Sequence, residues 1–334
     1  MATIGNTYLS LIDVYKQTDP KGNIADIIEL LAETNPILED MIVVEANDGT
    51  THLTTMRTGI PAGTFRKLYQ AVQPTKSTTK QIRDATGMME NWSEVDAKLV
   101  ELAGGGSGGA KLRMNEATAF IEGLSNTMAA RLFYGNTATD PEEFLGLAPR
   151  FSSLSAENGG QIVDALGSGI DNTSIWLIVW GERTVHGLYP KGSKAGLSRD
   201  DKGKVTKETS EGVYDVYREK FSWDLGLSVR DWRYVVRIAN IDLSDMRAGT
   251  VPLYTYLRKA YYALFQRRVT GGRAAIYCNR DVLEALDALA NNGGSTDSFV
   301  RLERSEMEGK EVLTYRGIPI RETDALLNSE ARVV

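Results

Sequence analysis

The stretch KLRMNEATAFIEGLSNTMAARLFYGN, residues 111–136, decides the fold. Ala117, Ile121, Leu124, Met128 and Leu132 recur three and four apart, so they share one face of an α-helix. Glu116, Asn126, Thr127 and Arg131 fall mostly on the other faces. With a rise of roughly 1.5 Å per residue the rod is about 35 Å long, enough to cross a domain. Gly135-Asn136 ends it, since both residues tolerate the left-handed backbone of a C-terminal cap. Periodicity alone describes a core helix of any α/β protein. The segment after Tyr134-Gly135-Asn136 is more particular: Pro141-Glu142-Glu143-Phe144-Leu145-Gly146-Leu147.

Upstream, residues 47–95 are the least domain-like part of the chain. His52 to Arg57 and Ser77 to Ile82 are β-prone and Thr-rich, while Gly59, Pro61, Gly63 and Pro74 break the stretch between them. The pattern predicts a long β-hairpin with too few apolar side chains for a core, and a loop of that length is usually functional. From Arg57 to Arg83 it carries six cations (Arg57, Arg66, Lys67, Lys76, Lys80, Arg83) and no Asp or Glu, in a chain of formal net charge −6. Acidic clusters lie elsewhere, at Asp140, Glu142 and Glu143 and at Glu303, Glu306 and Glu308, so another copy of the chain is the simplest partner for the loop.

Residues 1–46 read as an arm. Tyr8, Leu11, Ile12 and Tyr15 predict one short helix, and Ile24, Ile27, Ile28 and Leu31 a second, separated by the turn Asp19-Pro20-Lys21-Gly22. Val95, Leu99 and Leu102 keep helical spacing into the tract Gly104 to Gly109, expected as a flexible connector. Downstream, Thr173 to Trp180 predicts a buried strand, 181–220 an exposed polar excursion, and Phe221–Leu227 and Trp232–Ile238 two strands. Leu253–Arg267 predicts a helix and Ala274–Cys278 a strand. Asn279 caps a helix with Val282, Leu283, Leu286 and Leu289 inside, and a last strand pair follows around Gly317. Strands and helices come in blocks without an internal repeat, an α+β order.

At 334 residues, 42% hydrophobic and 25% charged, the chain has the composition of a folded protein with one large core or two modest ones. The acidic balance argues against wholesale coating of nucleic acid. A single cysteine, Cys278, forms no internal disulfide and fits a reducing compartment. The N-terminal residues lack the basic start and apolar run of a signal peptide, and Ile175–Trp180 is too short to span a bilayer. The expected product is soluble and intracellular when made.

No motif argues for an enzyme. Gly104, Gly106 and Gly109 satisfy G-x-G-x-x-G, and residues 105–109 satisfy G-x-S-x-G, but a near-homogeneous glycine tract forces both matches. A dinucleotide site or nucleophile elbow needs a strand before the glycines, and a phosphate loop needs Gly-Lys-Ser/Thr where this chain has Gly109-Ala110-Lys111-Leu112. The two histidines, His52 and His186, are isolated from other ligand types at metal spacing and read as surface or core imidazoles. Cys278 sits in an apolar strand, more like a small core residue than an activated thiol.

The order of these elements resembles the major capsid proteins of tailed bacteriophages, the Hong Kong 97-like family. Thr58-Gly59-Ile60-Pro61, Gln73-Pro74-Thr75-Lys76-Ser77-Thr78-Thr79 and Ser93-Glu94-Val95-Asp96 look most like the short-tailed phages. Ala275-Ile276-Tyr277-Cys278-Asn279 with its helix to Leu289, and Tyr315-Arg316-Gly317-Ile318-Pro319-Ile320, resemble the family's axial strand–helix and late strand. The resemblance implies the α+β Hong Kong 97-like fold, with an N-terminal arm over 1–46 and an extended hairpin loop over 47–95. The peripheral domain with its long spine helix would cover 96–147, the axial domain with further peripheral strands 148–310, and C-terminal strands 311–334. The strand-rich block 173–245 precedes the strand–helix 274–289, which departs from the family's commonest order.

The implied function is a non-enzymatic coat protein. Through arm and loop it would assemble with itself into pentamers and hexamers of an icosahedral shell, around double-stranded phage DNA contacted without sequence specificity. Arg57, Arg66, Lys67, Lys76, Lys80 and Arg83 are the expected assembly interface. No catalytic residue, cofactor, metal or membrane is expected. Some relatives carry a scaffolding extension before the arm; with the arm starting at Met1, the expectation is a separate scaffolding protein or none, with a decoration (cement) protein and a portal as further partners. The protein would be made in the host bacterial cytoplasm and reside in the virion. The alternative is another ring- or tube-forming virion component.

Overall fold

The computed structural model describes residue 9 and residues 33–104, 106–210, 212–267, 270–292, 303–307 and 310–334; the two helices expected around Tyr8–Tyr15 and Ile24–Leu31 lie outside the described residues. Its centre is the predicted strand, β5 (Asn172–Trp180), buried along its whole length. Side chains of a strand alternate faces, so Trp176, Ile178 and Trp180 enter one core while Ile175, Leu177 and Val179 enter another. β9 (Val235–Asp242) and β10 (Arg273–Cys278) flank it antiparallel, and β13 (Ile318–Glu322) joins β10 in parallel. The first core is covered by Met128, Ala129, Leu132 and Phe133 from the end of the long helix. The second is covered by the helices Leu253–Ala263 and Arg280–Asn292. Cys278 is part of that second core, and burial pushes its thiol up to about 12; it packs rather than reacts.

The long helix spans Gly106–Tyr134, starting earlier than expected because four of the six residues of the glycine tract form its first turn rather than a connector. A Cβ at Gly109 would lie 2.6 Å from Val100 Cγ1, and one at Gly108 would lie 2.0 Å from the Ala103 carbonyl. The glycines let the long helix start hard against the short helix Ala97–Leu102. Ala117, Leu124, Met128 and Leu132 are buried as the spacing predicts. The helix end differs from expectation too, since Gly135 is not left-handed. A Cβ there would meet the Phe144 carbonyl at 2.6 Å, and one at Gly146 would meet the Arg131 carbonyl at 2.7 Å. The Gly146 N–H donates to the Gly135 carbonyl at 2.8 Å. The motif therefore encodes two backbones in contact.

From β5 the described sheet runs outward through β6 (Val185–Tyr189), β8 (Gly212–Val229) and β3 (Thr78–Asp96) to β2 (Thr51–Gly59), with β7 (Ser198–Thr209) on β8. The expected exposed excursion over 181–220 is corrected in part: 185–189 are the largely buried β6, and the exposed part that follows is a regular charged hairpin, β7–β8. Strand β7 reads SRDDKGKVTKET; none of it is buried, and of the alternate half-buried positions Gly203, Val205 and Lys207 only one is a large apolar residue, so no hydrophobic period of two marks it. The helix after Pro252 also stops at Ala263 rather than Arg267, whose guanidinium folds back to donate to the Tyr261 carbonyl at 2.8 Å. Residues 33–46, expected as the end of the arm, belong to the body. Ile37 is fully buried, Asp40 accepts from Tyr277 Oη at 2.9 Å and from Arg321, and Val43–Glu45 (β1) pairs in parallel with β6. Leu9 is half-buried against Val95, Leu99, Val100 and Leu112.

One buried polar knot ties these pieces together. Arg237 of β9 donates to Glu330 at 2.9 Å, to Ser174 Oγ of β5 at 3.0 Å and to the Phe151 carbonyl at 2.8 Å, with its guanidinium 5.1 Å from the Trp176 ring. Ser174 and Tyr134, the last residue of the long helix, both donate to the Glu330 carboxylate. Burial and the Glu330 charge push the Tyr134 hydroxyl far above the ordinary tyrosine value. Glu330→Gln, which strands the Arg237 charge, should cost about 3–5 kcal/mol in urea unfolding. Gly135→Ala should cost about 1–3 kcal/mol through the two carbonyl clashes. Gly123→Ala, on an exposed helix face with nothing within 4 Å of the new methyl, should instead stabilise by about 1 kcal/mol.

Candidate assembly interface

Strands β2 and β3 pair antiparallel from Thr51↔Ala85 to Gly59↔Thr78, and the second half of β3 passes to β8 from Thr86↔Gly226 onward. The hairpin is therefore rooted in the body by the same strand that forms its returning leg. At the root the register places His52, Thr54 and Asp84 on one face, and all three are buried. Asp84 binds Arg150 at 2.8 Å and accepts from Ser228 Oγ at 2.9 Å. Against it stand the chain's two histidines, brought together although far apart in sequence, with ring centroids 5.5 Å apart and edge to face.

His186 is fully buried, and its ring nitrogens make no hydrogen bond among the described residues; the Gly181 backbone favours a proton there without reaching hydrogen-bonding geometry. Burial, then His52, then Arg230 hold His186 at about 4, against weaker support for a proton from Asp84. Burial and Arg230 lower His52 as well. Both imidazoles are core residues, as one of the two sequence readings allowed.

Beyond the root the hairpin leaves the body. Arg57 and Arg83 share one face of the ribbon and Lys80 the other, by strand alternation. Arg66, Lys67 and Lys76 lie on the irregular tip between the strands. All six expected interface cations are exposed; Arg83 pairs with Asp48 at 3.5 Å, and the other five have no carboxylate partner among the described residues. The structure does not gather them into one cluster. What it adds is apolar: Ile60, Phe65, Leu68 and Tyr69 are 84%, 104%, 85% and 105% exposed on the same tip. Sequence reasoning passed over them because they follow no helix or strand period. Their signal was large apolar residues among Gly, Pro and Lys with nothing local to pack on. Of the acids expected to complement the cations, Glu143 is held by Arg131 at 2.6 Å, Asp140 and Glu142 are exposed, and the side chains of Glu303, Glu306 and Glu308 lie outside those described.

A family model described as major capsid protein GP7 matches residues 19–334. A chain in the structure of bacteriophage Epsilon15 is similar over 100% of this chain and 99% of its own, with 38% identity and a TM-score of 0.76. The bacteriophage JBD30 capsid shares the fold at 11% identity, over 89% of this chain and 93% of its own, with a TM-score of 0.51. No curated protein matches the sequence.

The histidine pair gives the root a pH dependence of defined sign. Each has a lower pKa in the folded chain than the ordinary value of 6.5, so its contribution is complete above pH 6.5 and falls as the pH drops toward the folded value. For His186 alone the loss from pH 7 to pH 5 should be about 2 kcal/mol. His186→Phe, compared with wild type by urea unfolding at both pH values, should lose that much less.

Proposed function

The chain belongs to the major capsid protein GP7 family and is a shell-forming coat protein of a bacteriophage virion, with the Hong Kong 97-like fold; we propose that it closes the shell by seating the extended loop of each copy on the next. The observation that carries this is the bare tip, four large exposed apolar side chains on the same irregular segment as Arg66, Lys67 and Lys76, which have no carboxylate partner among the described residues. Burying one such side chain is worth about 2 kcal/mol, so the four together offer about 8 kcal/mol, against an association cost of roughly 4–15 kcal/mol. A single loop contact is marginal. Repetition across a closed shell makes it sufficient.

The cations supply register and steering rather than bulk affinity, toward an acidic surface such as Asp140 and Glu142 beyond the end of the long helix. Loop tip and acidic surface are different patches of one chain, so the contact is heterologous and closes rings, the pentamers and hexamers of a shell. An arm upstream of residue 33, a separate scaffolding protein or none, a decoration protein, a portal and DNA held without sequence specificity extend this reading on the resemblance alone. The role is mechanical, without catalysis, in a protein made in the host cytoplasm.

The tip is exposed, so changing it should leave the subunit intact. Arg66→Glu with Lys67→Glu, and separately Phe65→Ser with Tyr69→Ser, should melt within about 1 °C of wild type yet fail to form closed shells by negative-stain imaging. Normal particles from the first pair would remove the electrostatic part of the proposal, and normal particles from the second the apolar part.

A further inference from the structure

Between Met246 and Arg280 the chain carries seven cations, Arg247, Arg258, Lys259, Arg267, Arg268, Arg273 and Arg280, and no Asp or Glu. In a protein of net charge −6 that segregation is as marked as in the extended loop. Arg247 and Arg280 are neutralised, the first by Asp281 at 3.3 Å and the second by Glu322 at 2.8 Å. Arg258, Lys259, Arg267 and Arg273 have no carboxylate partner among the described residues.

Aromatic rings organise this basic surface. The Arg267 guanidinium lies 4.8 and 4.9 Å from the Tyr261 and Tyr262 rings, and that of Arg316 lies 5.2 and 5.4 Å from the same two. Arg316 donates to Tyr262 Oη at 3.0 Å. It does so from a left-handed backbone (φ 52°) in the turn between β12 (Lys310–Tyr315) and β13. A long side chain is uncommon there, where Asn or Gly is usual. Tyr262 and Phe265 remain 62% and 51% exposed beside them. Capping the helix Leu253–Ala263 explains one arginine, not two guanidiniums over one pair of rings without an anion. Exposed Tyr and Phe framed by Arg is the composition of a protein interface core.

The opposite charge lies on the neighbouring helix of the same layer. Asp281, Glu284 and Asp287 fall three apart on Arg280–Asn292 and form a stripe opposite buried Val282 and Leu286. Asp281 is taken by Arg247, but Glu284 and Asp287 are exposed and have no cation partner among the described residues. The two helices touch through Tyr254, whose hydroxyl donates to the Leu286 carbonyl at 2.9 Å, and yet their free charges do not pair.

We propose that the basic aromatic surface of Arg258, Lys259, Tyr262, Phe265 and Arg316 docks on the Glu284–Asp287 stripe of an adjacent copy. This is a second head-to-tail contact, between the bodies of neighbouring subunits and separate from the loop tip. It rests on the reading of the chain as a shell subunit. Two complementary patches that do not meet within one chain can meet only between chains, and because they are different patches the contact propagates around a ring.

Charge reversal tests it. Arg258→Glu with Lys259→Glu should melt like wild type and lower the yield of closed shells at least tenfold. Adding Glu284→Lys and Asp287→Lys to that variant should restore the yield, because the exchanged patches are again complementary. Wild-type yield from the first variant would overturn the inference and leave the loop-tip contact standing. Loss without restoration, in a subunit that still melts like wild type, would also overturn it, since the cations would then face something other than this stripe.

Discussion

Everything in the body is referred to the buried pair Arg237–Glu330. Two charges withdrawn from water rarely gain net stability, and their worth lies in the single arrangement that satisfies them. Here that arrangement needs β9 for Arg237, β5 for Ser174, the end of the long helix for Tyr134, the carbonyl of Phe151 and the C-terminal segment for Glu330. Any slip between helix and sheet would leave a charge stranded in the core. Asn240, which bonds the Val333 backbone in both directions, locks the same segment one step further on.

A body fixed in this way has few ways to move, because β5 is packed on both faces and the helix end is closed by a glycine-on-glycine contact. At its periphery two kinds of exposed group stand without a partner among the described residues. The loop tip carries apolar side chains with nothing beneath them, and the helix layer over the second core carries separated charges of opposite sign. The apolar tip is a cost to an isolated subunit in water, while the separated charges are hydrated there and cost little. We propose that both become contacts once copies surround one another in the shell.

The outer strands show the same economy in reverse. β7 has no strand partner other than β8 among the described residues, and its outer edge carries charges of both signs and a bulge between Asp201 and Gly203, devices that discourage unwanted strand pairing. Arg199 holds Glu219 across the ribbon, while Arg113 of the long helix holds Asp201 and Lys207 reaches Glu94 of β3. The β7–β8 hairpin is thus tied by ion pairs to itself, to the long helix and to β3, whereas the β2–β3 hairpin beyond its root has only Arg83–Asp48 among the described residues. Two long hairpins of similar look consequently have different roles, one a support and one a projection.

The long helix, the buried strand β5, the capped helix after Asn279 and the basic hairpin were all legible in the sequence, because each depends on a local period or a local cap. The Val282 N–H donates to Asn279 Oδ1 at 3.0 Å, as that cap requires. The β7–β8 hairpin was not legible, since β7 places Gly203, Val205 and Lys207 on its half-buried face and so has no hydrophobic alternation to read. The purpose of Gly135 and Gly146 was hidden as well: close approach is a property of two segments, and either glycine alone reads as a flexible cap. The histidine pair, the Arg237–Glu330 knot and the arginines stacked on Tyr261 and Tyr262 belong wholly to the tertiary structure. Sequence by itself determined which elements form and where charge accumulates, through short-range periodicity and composition. Only the fold decided which distant side chains share a low-dielectric site and which remain bare, because burial is set by what packs on top and not by neighbours along the chain.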